Sequence, residues 1–237
     1  MKLLELEPVK VAAVVGFALA MMAGPLSAQV YTDTLADLSN PNGTYNSLTI
    51  GDKTFSHFSY LGTDLTSFDP SQIVVAASIA SDGTYDLTWG GNVSLATLNT
   101  ATADLKLNYV VTATDGLIAV IDQSYTGSAQ NGLLAIDENA YTQNFGQGLD
   151  GNSHLNTYDV SDPPAESTDL LNLITPASTL FVTKDIGLAG FSPGSFVTIS
   201  EVTQSFHQVP EPGAVMLTAL GGGVLLLLRL RRPARVG

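Results

Sequence analysis

Five turn dipeptides punctuate the chain, Asn42-Gly43, Asp82-Gly83, Asp115-Gly116, Asn131-Gly132 and Asp150-Gly151. Asn-Gly and Asp-Gly take the positive-φ conformations of tight two-residue turns, so each marks a place where the backbone is free to double back. Between them lie short runs rich in Val, Ile, Thr, Tyr and Phe: Thr54 to Leu61, Gln72 to Ile79, Thr84 to Trp89, Asp104 to Thr112, Leu117 to Asp122, Thr179 to Lys184 and Ser195 to Phe206. Several alternate cleanly, as in Asp104-Leu105-Lys106-Leu107-Asn108-Tyr109-Val110, where Leu105, Leu107 and Tyr109 share one face. Alternation of this kind is the signature of a half-buried strand.

Many short strands with frequent turns and no sustained helical period predict an all-β fold, an antiparallel β-sandwich or jelly roll. The turn chemistry predicts a hairpin ending in Thr84 to Trp89, entered through Asp82-Gly83, and another over Val110 to Ile121 about Asp115-Gly116. Asp169 to Ile174 fits a single helical turn. Residues Asp137 to Glu166, rich in Asn, Gln, Gly, Ser and Asp and containing Pro163-Pro164, read as a long loop or insertion.

Both ends have a different character. At the start, Lys2 and Lys10 flank Glu5 and Glu7, the apolar stretch Val11 to Ala23 follows, and Gly24-Pro25-Leu26-Ser27-Ala28 provides a small-residue exit. That is the layout of a signal peptide over residues 1–28, cleaved after Ala28. At the far end, Val209-Pro210-Glu211-Pro212 precedes an uncharged apolar run, Gly213 to Leu228, and then Arg229, Arg231, Arg232 and Arg235. A comfortable span needs about 20 apolar residues, so this shorter segment crosses a bilayer with help from snorkelling arginines or local thinning. Positive flanks stay cytoplasmic, which places the carboxyl end inside and the body outside. The predicted organisation is therefore a signal peptide over 1–28, an extracellular β-sandwich over 29–208, and a tail over 209–237 with its helix at 213–228 and basic end at 229–237.

The order of these tail elements resembles the PEP-CTERM sorting signal of bacterial exported proteins. Pro210, Glu211 and Pro212 match the tripeptide, Gly213 to Leu228 the helix, and Arg229, Arg231 and Arg232 the basic membrane stop. Locally, the two prolines fix φ, remove backbone donors and keep the segment extended ahead of the helix. Residues 178–206, with Val182-Thr183-Lys184-Asp185-Ile186 and the closing Ser200 to Phe206, resemble the last strands of many such proteins. The resemblance implies processing by an exosortase, a membrane-embedded cysteine protease, in an exopolysaccharide-producing Gram-negative-type bacterium. It implies a membrane partner through the helix before processing, and a destination in the cell envelope, on the cell surface or in the extracellular matrix.

Charge narrows the partners of the body. The whole chain carries −13, but 19 of its 22 acidic residues lie in 29–208 against only Lys53, Lys106 and Lys184, which leaves the body near −16. Such a surface repels phosphate backbones and anionic headgroups, so nucleic acid is excluded. Cysteine is absent, which removes disulfides, thiol nucleophiles and cysteine metal sites together.

Catalytic patterns are not found. His57, His154 and His207 are scattered, without the spacing that puts two ligands on one helix face. No nucleophile elbow is read among the serines, and Gly146-Gln147-Gly148 reads as a flexible loop. Asp137-Glu138 and Asp159 to Asp162 are the carboxylate neighbours that a glycosidase would need, and neighbours of this kind arise freely in so acidic a chain. Asp150-Gly151-Asn152-Ser153-His154-Leu155-Asn156 offers oxygens at alternate positions, but Leu155 and Ser161 stand where an EF-hand needs glycine and glutamate. No cofactor is expected, a loosely bound calcium ion being the one candidate.

The expected function is that of an exported, non-enzymatic cell-surface or matrix protein. The alternative is a carbohydrate-binding module acting on exopolysaccharide, with Trp89, Tyr125, Tyr141 and Tyr158 as flat apolar platforms beside amides and carboxylates. Against that, Trp89 also suits the core between two sheets.

Overall fold

The computed structural model describes residues 30–43, 46–96, 101–158 (without the side chains of 155–158) and 168–209. The signal peptide, the Pro163-Pro164 segment, Asp159 to Asp162, the 210–212 motif, the 213–228 helix and the terminal arginines lie outside the described residues. Among the described residues, no helix is long and apolar enough to cross a membrane.

The elements run β1 (Val30–Thr34), α1 (Leu35–Leu38), β2 (Ser47–Ile50), β3 (Lys53–Thr63), β4 (Val74–Ile79), β5 (Tyr85–Ala96), β6 (Ala101–Ala113), β7 (Leu117–Gln130), β8 (Gly132–Asn144), β9 (Gln147–Tyr158), β10 (Thr168–Ala177), β11 (Thr179–Gly190) and β12 (Phe196–Val209). They form two six-stranded antiparallel sheets, ordered β1-β4-β5-β12-β7-β10 and β2-β3-β6-β11-β8-β9. The last eight strands pair in a nested series, β8 with β9, β7 with β10, β6 with β11 and β5 with β12. The chain from Tyr85 onward is thus one long hairpin rolled so that successive pairs fall in alternate sheets, the connectivity of a jelly roll. β4 pairs with β5 and β3 with β6, which widens both sheets on the same side.

The Asp82-Gly83 hairpin is present: Ile79 faces Tyr85, and Gly83 has φ +89°. The Asp115-Gly116 hairpin is not. Gly116 does turn the chain with φ +76°, but β6 belongs to the second sheet and β7 to the first, so this turn is a corner between layers. Asn131-Gly132 is a second corner, where a Cβ on Gly132 would sit 2.5 Å from the Ala189 carbonyl oxygen. Asp169 to Ile174, read as a helical turn, is the middle of β10: Leu171 pairs opposite Ile121, and Leu171 and Leu173 point inward. Residues 137–158, read as loop, make most of the β8–β9 hairpin, because Leu134, Ile136 and Ala140 supply an inward stripe that holds it to β11. Asp150-Gly151 is no turn: Ala140 pairs with Gly151 and Tyr141 with Leu149, which leaves Asp150 as the extra residue of a bulge.

The inward phases of the strands fill the space between the sheets. Tyr109 is fully buried at the centre of an aromatic cluster, its ring 5.8 Å from Trp89, 6.0 Å from Phe58, 6.3 Å from Phe55 and 6.5 Å from Phe206. Its hydroxyl donates to Gln204 Oε1 at 2.8 Å. Burial, reinforced by the charge of Glu138, pushes this phenol well above its ordinary pKa. Among the buried polar residues, Gln123, Glu138, Lys184 and Gln204 are each at most 2% exposed.

Candidate functional site

Because successive side chains of a strand alternate between faces, the outward phases of β9, β8, β11 and β6 define the open surface of the second sheet. The register then sorts them into rows. One row is apolar: Leu149, Tyr141, Phe181 and Val110 stand opposite one another across four strands, Val110 being buried. Phe145, in the β8–β9 turn, packs edge-on against Phe181 with ring centres 5.3 Å apart. Leu149 is 54% exposed, while Tyr141 and Phe181 are half-buried.

Two residues along, the next row is amide and hydroxyl: Asn152, Asn139, Thr183, Asn108 and Ser59. Thr183 Oγ1 donates to Asn108 Oδ1 at 2.8 Å, and Asn108 Nδ2 donates to Ser59 Oγ at 3.3 Å. These bonds fix the Asn108 amide in plane. Two residues further lies a row of ionisable residues, His154, Asp137, Asp185 and Lys106, ended by the apolar Leu61. His154 Nδ1 is 2.7 Å from Asp137, and Lys106 is 3.5 Å from Asp185. Beyond it, Ala135, Gly187 and Asp104 stand in line, and a Cβ on Gly187 would meet nothing within 4 Å, so the surface dips there. Burial, followed by the hydrogen bond and charge of Asp185, holds the Asp104 carboxyl at about 6.

Rows on one sheet face repeat about every 7 Å and strands about every 4.8 Å, so the three rows together cover a patch on the order of 15 by 20 Å. An extended ligand lying on it would meet a flat apolar strip, planar amides and carboxylates in fixed order.

The four predicted aromatic platforms separate on the structure. Tyr141 lies on the outer face of the second sheet. Trp89 is 4% exposed and packs edge-on against Phe58 at 5.6 Å, so it fills the core and presents no platform. Tyr125 is 8% exposed on the inner phase of β7. Tyr158 pairs through its backbone with Leu133 at the end of β9. Of these, Tyr141 alone is placed on the outer face of the second sheet, while Trp89 and Tyr125 are buried.

The remaining candidates also resolve. Asp137 and Glu138 point to opposite faces of β8, one exposed and one fully buried, so they form no carboxylate pair. Asp150 to Asn156 lies in β9, where alternation sends Ser153 inward and His154 outward and the Asp150 carboxylate accepts from the Thr175 N–H at 2.9 Å. A strand disperses oxygens that a calcium loop would converge. The spelling Gly-x-Ser-x-Gly does occur, at Gly190-Phe191-Ser192-Pro193-Gly194, contrary to the reading of the serines. It forms the turn between β11 and β12, strand to strand, and so lacks the helix a nucleophile elbow needs. His57 sits at a bulge of β3 with φ 55°, exposed, its Nδ1 3.0 Å from Ser56 Oγ.

A separate cleft of about 610 Å³ opens on the outer face of the first sheet, lined by Asp122, Ser124, Thr168, Leu170, Thr203 and Ser205 among others. His207 Nε2 lies 2.7 Å from Asp122 Oδ2 close by. One wall of this cleft ends at Thr168, where the described residues resume, whereas the patch on the second sheet is bounded by described strands.

Neither a protein-family model nor a curated protein matches the chain. Among solved structures, it is similar to TmCBM61 in complex with β-1,4-galactotriose, with 10% identity and a TM-score of 0.31 over 64% of this chain and 88% of that one. It is similar to a family 11 carbohydrate-binding module from Clostridium thermocellum in complex with a β-1,3-1,4-mixed-linked tetrasaccharide, with 10% identity and a TM-score of 0.20 over 80% and 94%. It is also similar to the enzymatically active domain of bacteriophage CBA120 tailspike protein 4, with 12% identity and a TM-score of 0.27 over 63% of this chain and 19% of that one. At these scores, none of the likenesses assigns a ligand or an activity to this chain.

Proposed function

We propose that this domain is a non-enzymatic glycan-binding module that engages a neutral polysaccharide across the outer face of its second sheet. The observation that carries the reading is the order of the rows, aromatic and aliphatic, then amide, then carboxylate, on one open face. A pyranose ring has an apolar C–H face and a rim of hydroxyls that both donate and accept. It is matched by a flat apolar strip beside planar groups of fixed orientation. The Phe181 and Tyr141 strip stacks against the ring, Asn108 and Asn139 read its hydroxyls, and Asp185 accepts from them. The negative body disfavours uronic or sulfated chains, which points to a neutral one.

The tail gives the setting. Pro210-Glu211-Pro212, the apolar segment and the arginines support export followed by exosortase processing, with the domain left at the cell surface or in the matrix. Mass spectrometry of the mature carboxyl terminus tests this part: a chain ending near the motif agrees with it, and one that ends at Gly237 contradicts it.

Binding isotherms on a panel of neutral and anionic polysaccharides test the module itself. Saturable binding to a neutral glycan, weakened in Phe181→Ala and Asn139→Ala, is the expected result. Binding to no member of the panel, or binding indifferent to both variants, would overturn the reading.

A further inference from the structure

The interior holds chemistry that neither packing nor glycan binding uses. Lys184 on β11 is fully buried, and its ammonium donates to Glu138 Oε2 at 2.7 Å and to Gln123 Oε1 at 2.6 Å. Glu138 and Lys184 are register partners in the second sheet, whereas Gln123 and Gln204 are register partners in the first. The lysine therefore reaches across the core to a carboxamide of the opposite layer. Gln204 Nε2 donates to Glu138 Oε2, and Gln123 Nε2 donates to Ser153 Oγ. Glu138 Oε1 is enclosed and has no partner. An ion pair sealed from water in this way is a poor source of stability, since desolvating both charges offsets their attraction.

The arrangement has the components of an acyl transfer: an amine, a carboxamide and a carboxylate, all in contact and shielded from water. A carbonyl carbon lies 1.23 Å from its oxygen, so Lys184 Nζ is no more than about 3.8 Å from Gln123 Cδ, near the separation of a reactive encounter. We propose that Lys184 and Gln123 form an intramolecular isopeptide bond that joins the two sheets, with Glu138 as the proton-transfer group.

The step balances without a co-reactant. Glu138 takes one proton from the ammonium and frees the Lys184 lone pair, which attacks Gln123 Cδ. The new bond is Nζ–Cδ, and the bond that breaks is Cδ–Nε2. Of the three ammonium protons, one stays on the isopeptide nitrogen, one leaves with Nε2 as ammonia, and one remains on Glu138. The core starts with one positive and one negative charge and ends with neither, which removes the desolvation cost of both ions. In a chain without cysteine, the bond would supply the covalent staple that a disulfide gives other exported domains.

The test is peptide mapping of the folded, full-length chain after denaturation. Cleavage on the amino side of aspartates separates Gln123, in peptide 122–136, from Lys184, in peptide 169–184. The expected result is a branched species that joins the two and is lighter than their sum by one ammonia. Recovery of both peptides unmodified, with no branched species, overturns the proposal. Glu138→Gln, verified as folded by circular dichroism, is expected to leave the two peptides separate, and a folded E138Q chain that still carries the link would remove Glu138 from the reaction. Mapping of the wild-type chain decides for or against the bond even where that variant does not fold.

Discussion

Phe181 and Lys184 stand three positions apart on β11 and face opposite ways, one onto the open surface and one into the core. The sequence carries that distinction, since Leu180, Val182, Ile186 and Leu188 set a phase of two in which Lys184 falls inward and Phe181, Thr183 and Asp185 fall outward. A polar residue in the buried phase was the available signal for the interior cluster, Lys184 on β11 being repeated by Gln123 on β7 and Gln204 on β12. What alternation could not decide was which face of an isolated aromatic is the wet one, so Trp89 stood both as a core residue and as a platform. At this scale, Phe181→Ala is expected to weaken glycan binding by about tenfold, near the value of a single ring contact, while thermal unfolding shifts little. Trp89→Ala is expected to do the reverse, with chemical denaturation registering a loss of about 3 to 5 kcal/mol for an emptied core site.

Elements were readable where the local pattern was also the pairing pattern. The runs of β-branched and aromatic residues read as strands are β3 to β7, β11 and β12, while β1, β2 and β8 were not read, and Asp82-Gly83 made its hairpin because β4 and β5 are neighbours in the first sheet. Asp115-Gly116 has the same turn chemistry and a different outcome, because a jelly roll uses tight turns as corners and only long-range pairing decides which are which. β9 and β10 were missed for a related reason. Their polar or leucine-rich sequences have weak strand propensity of their own and take their form from β8 and β7. Between β6 and β11, the Asp104–Asp185 contact carries a pH dependence. With its folded-state value raised to about 6 from 3.8, Asp104 binds a proton more tightly in the folded chain than in the unfolded one. Its contribution to stability is therefore present at low pH and lost as pH rises from 3.8 through about 6. Urea midpoints measured across that range should fall with pH in the wild-type chain and fall less in Asp104→Asn, which should be the more stable of the two at neutral pH.

For the molecule as a whole, composition and turn frequency sufficed to give an all-β sandwich, because short alternating strands of this number have few other ways to bury one face. The nested pairing and the ordered rows on the second sheet were beyond reach, since both depend on register between residues as far apart as Tyr85 and Phe206. The lopsided charge belongs to this scale too. Adsorption to polyanions such as heparin or nucleic acid should be absent even at low salt, and retention on an anion exchanger should be strong. The central claim is that the second sheet is the binding face, and the most direct measurement is a crystal structure of the domain with an oligosaccharide of the neutral glycan it binds. The account predicts a chain of sugar rings lying over Phe181 and Tyr141, with hydroxyls within hydrogen-bond distance of Asn108, Asn139 or Asp185. A ligand seated instead in the cleft beside Asp122 and Thr203 on the first sheet would contradict it.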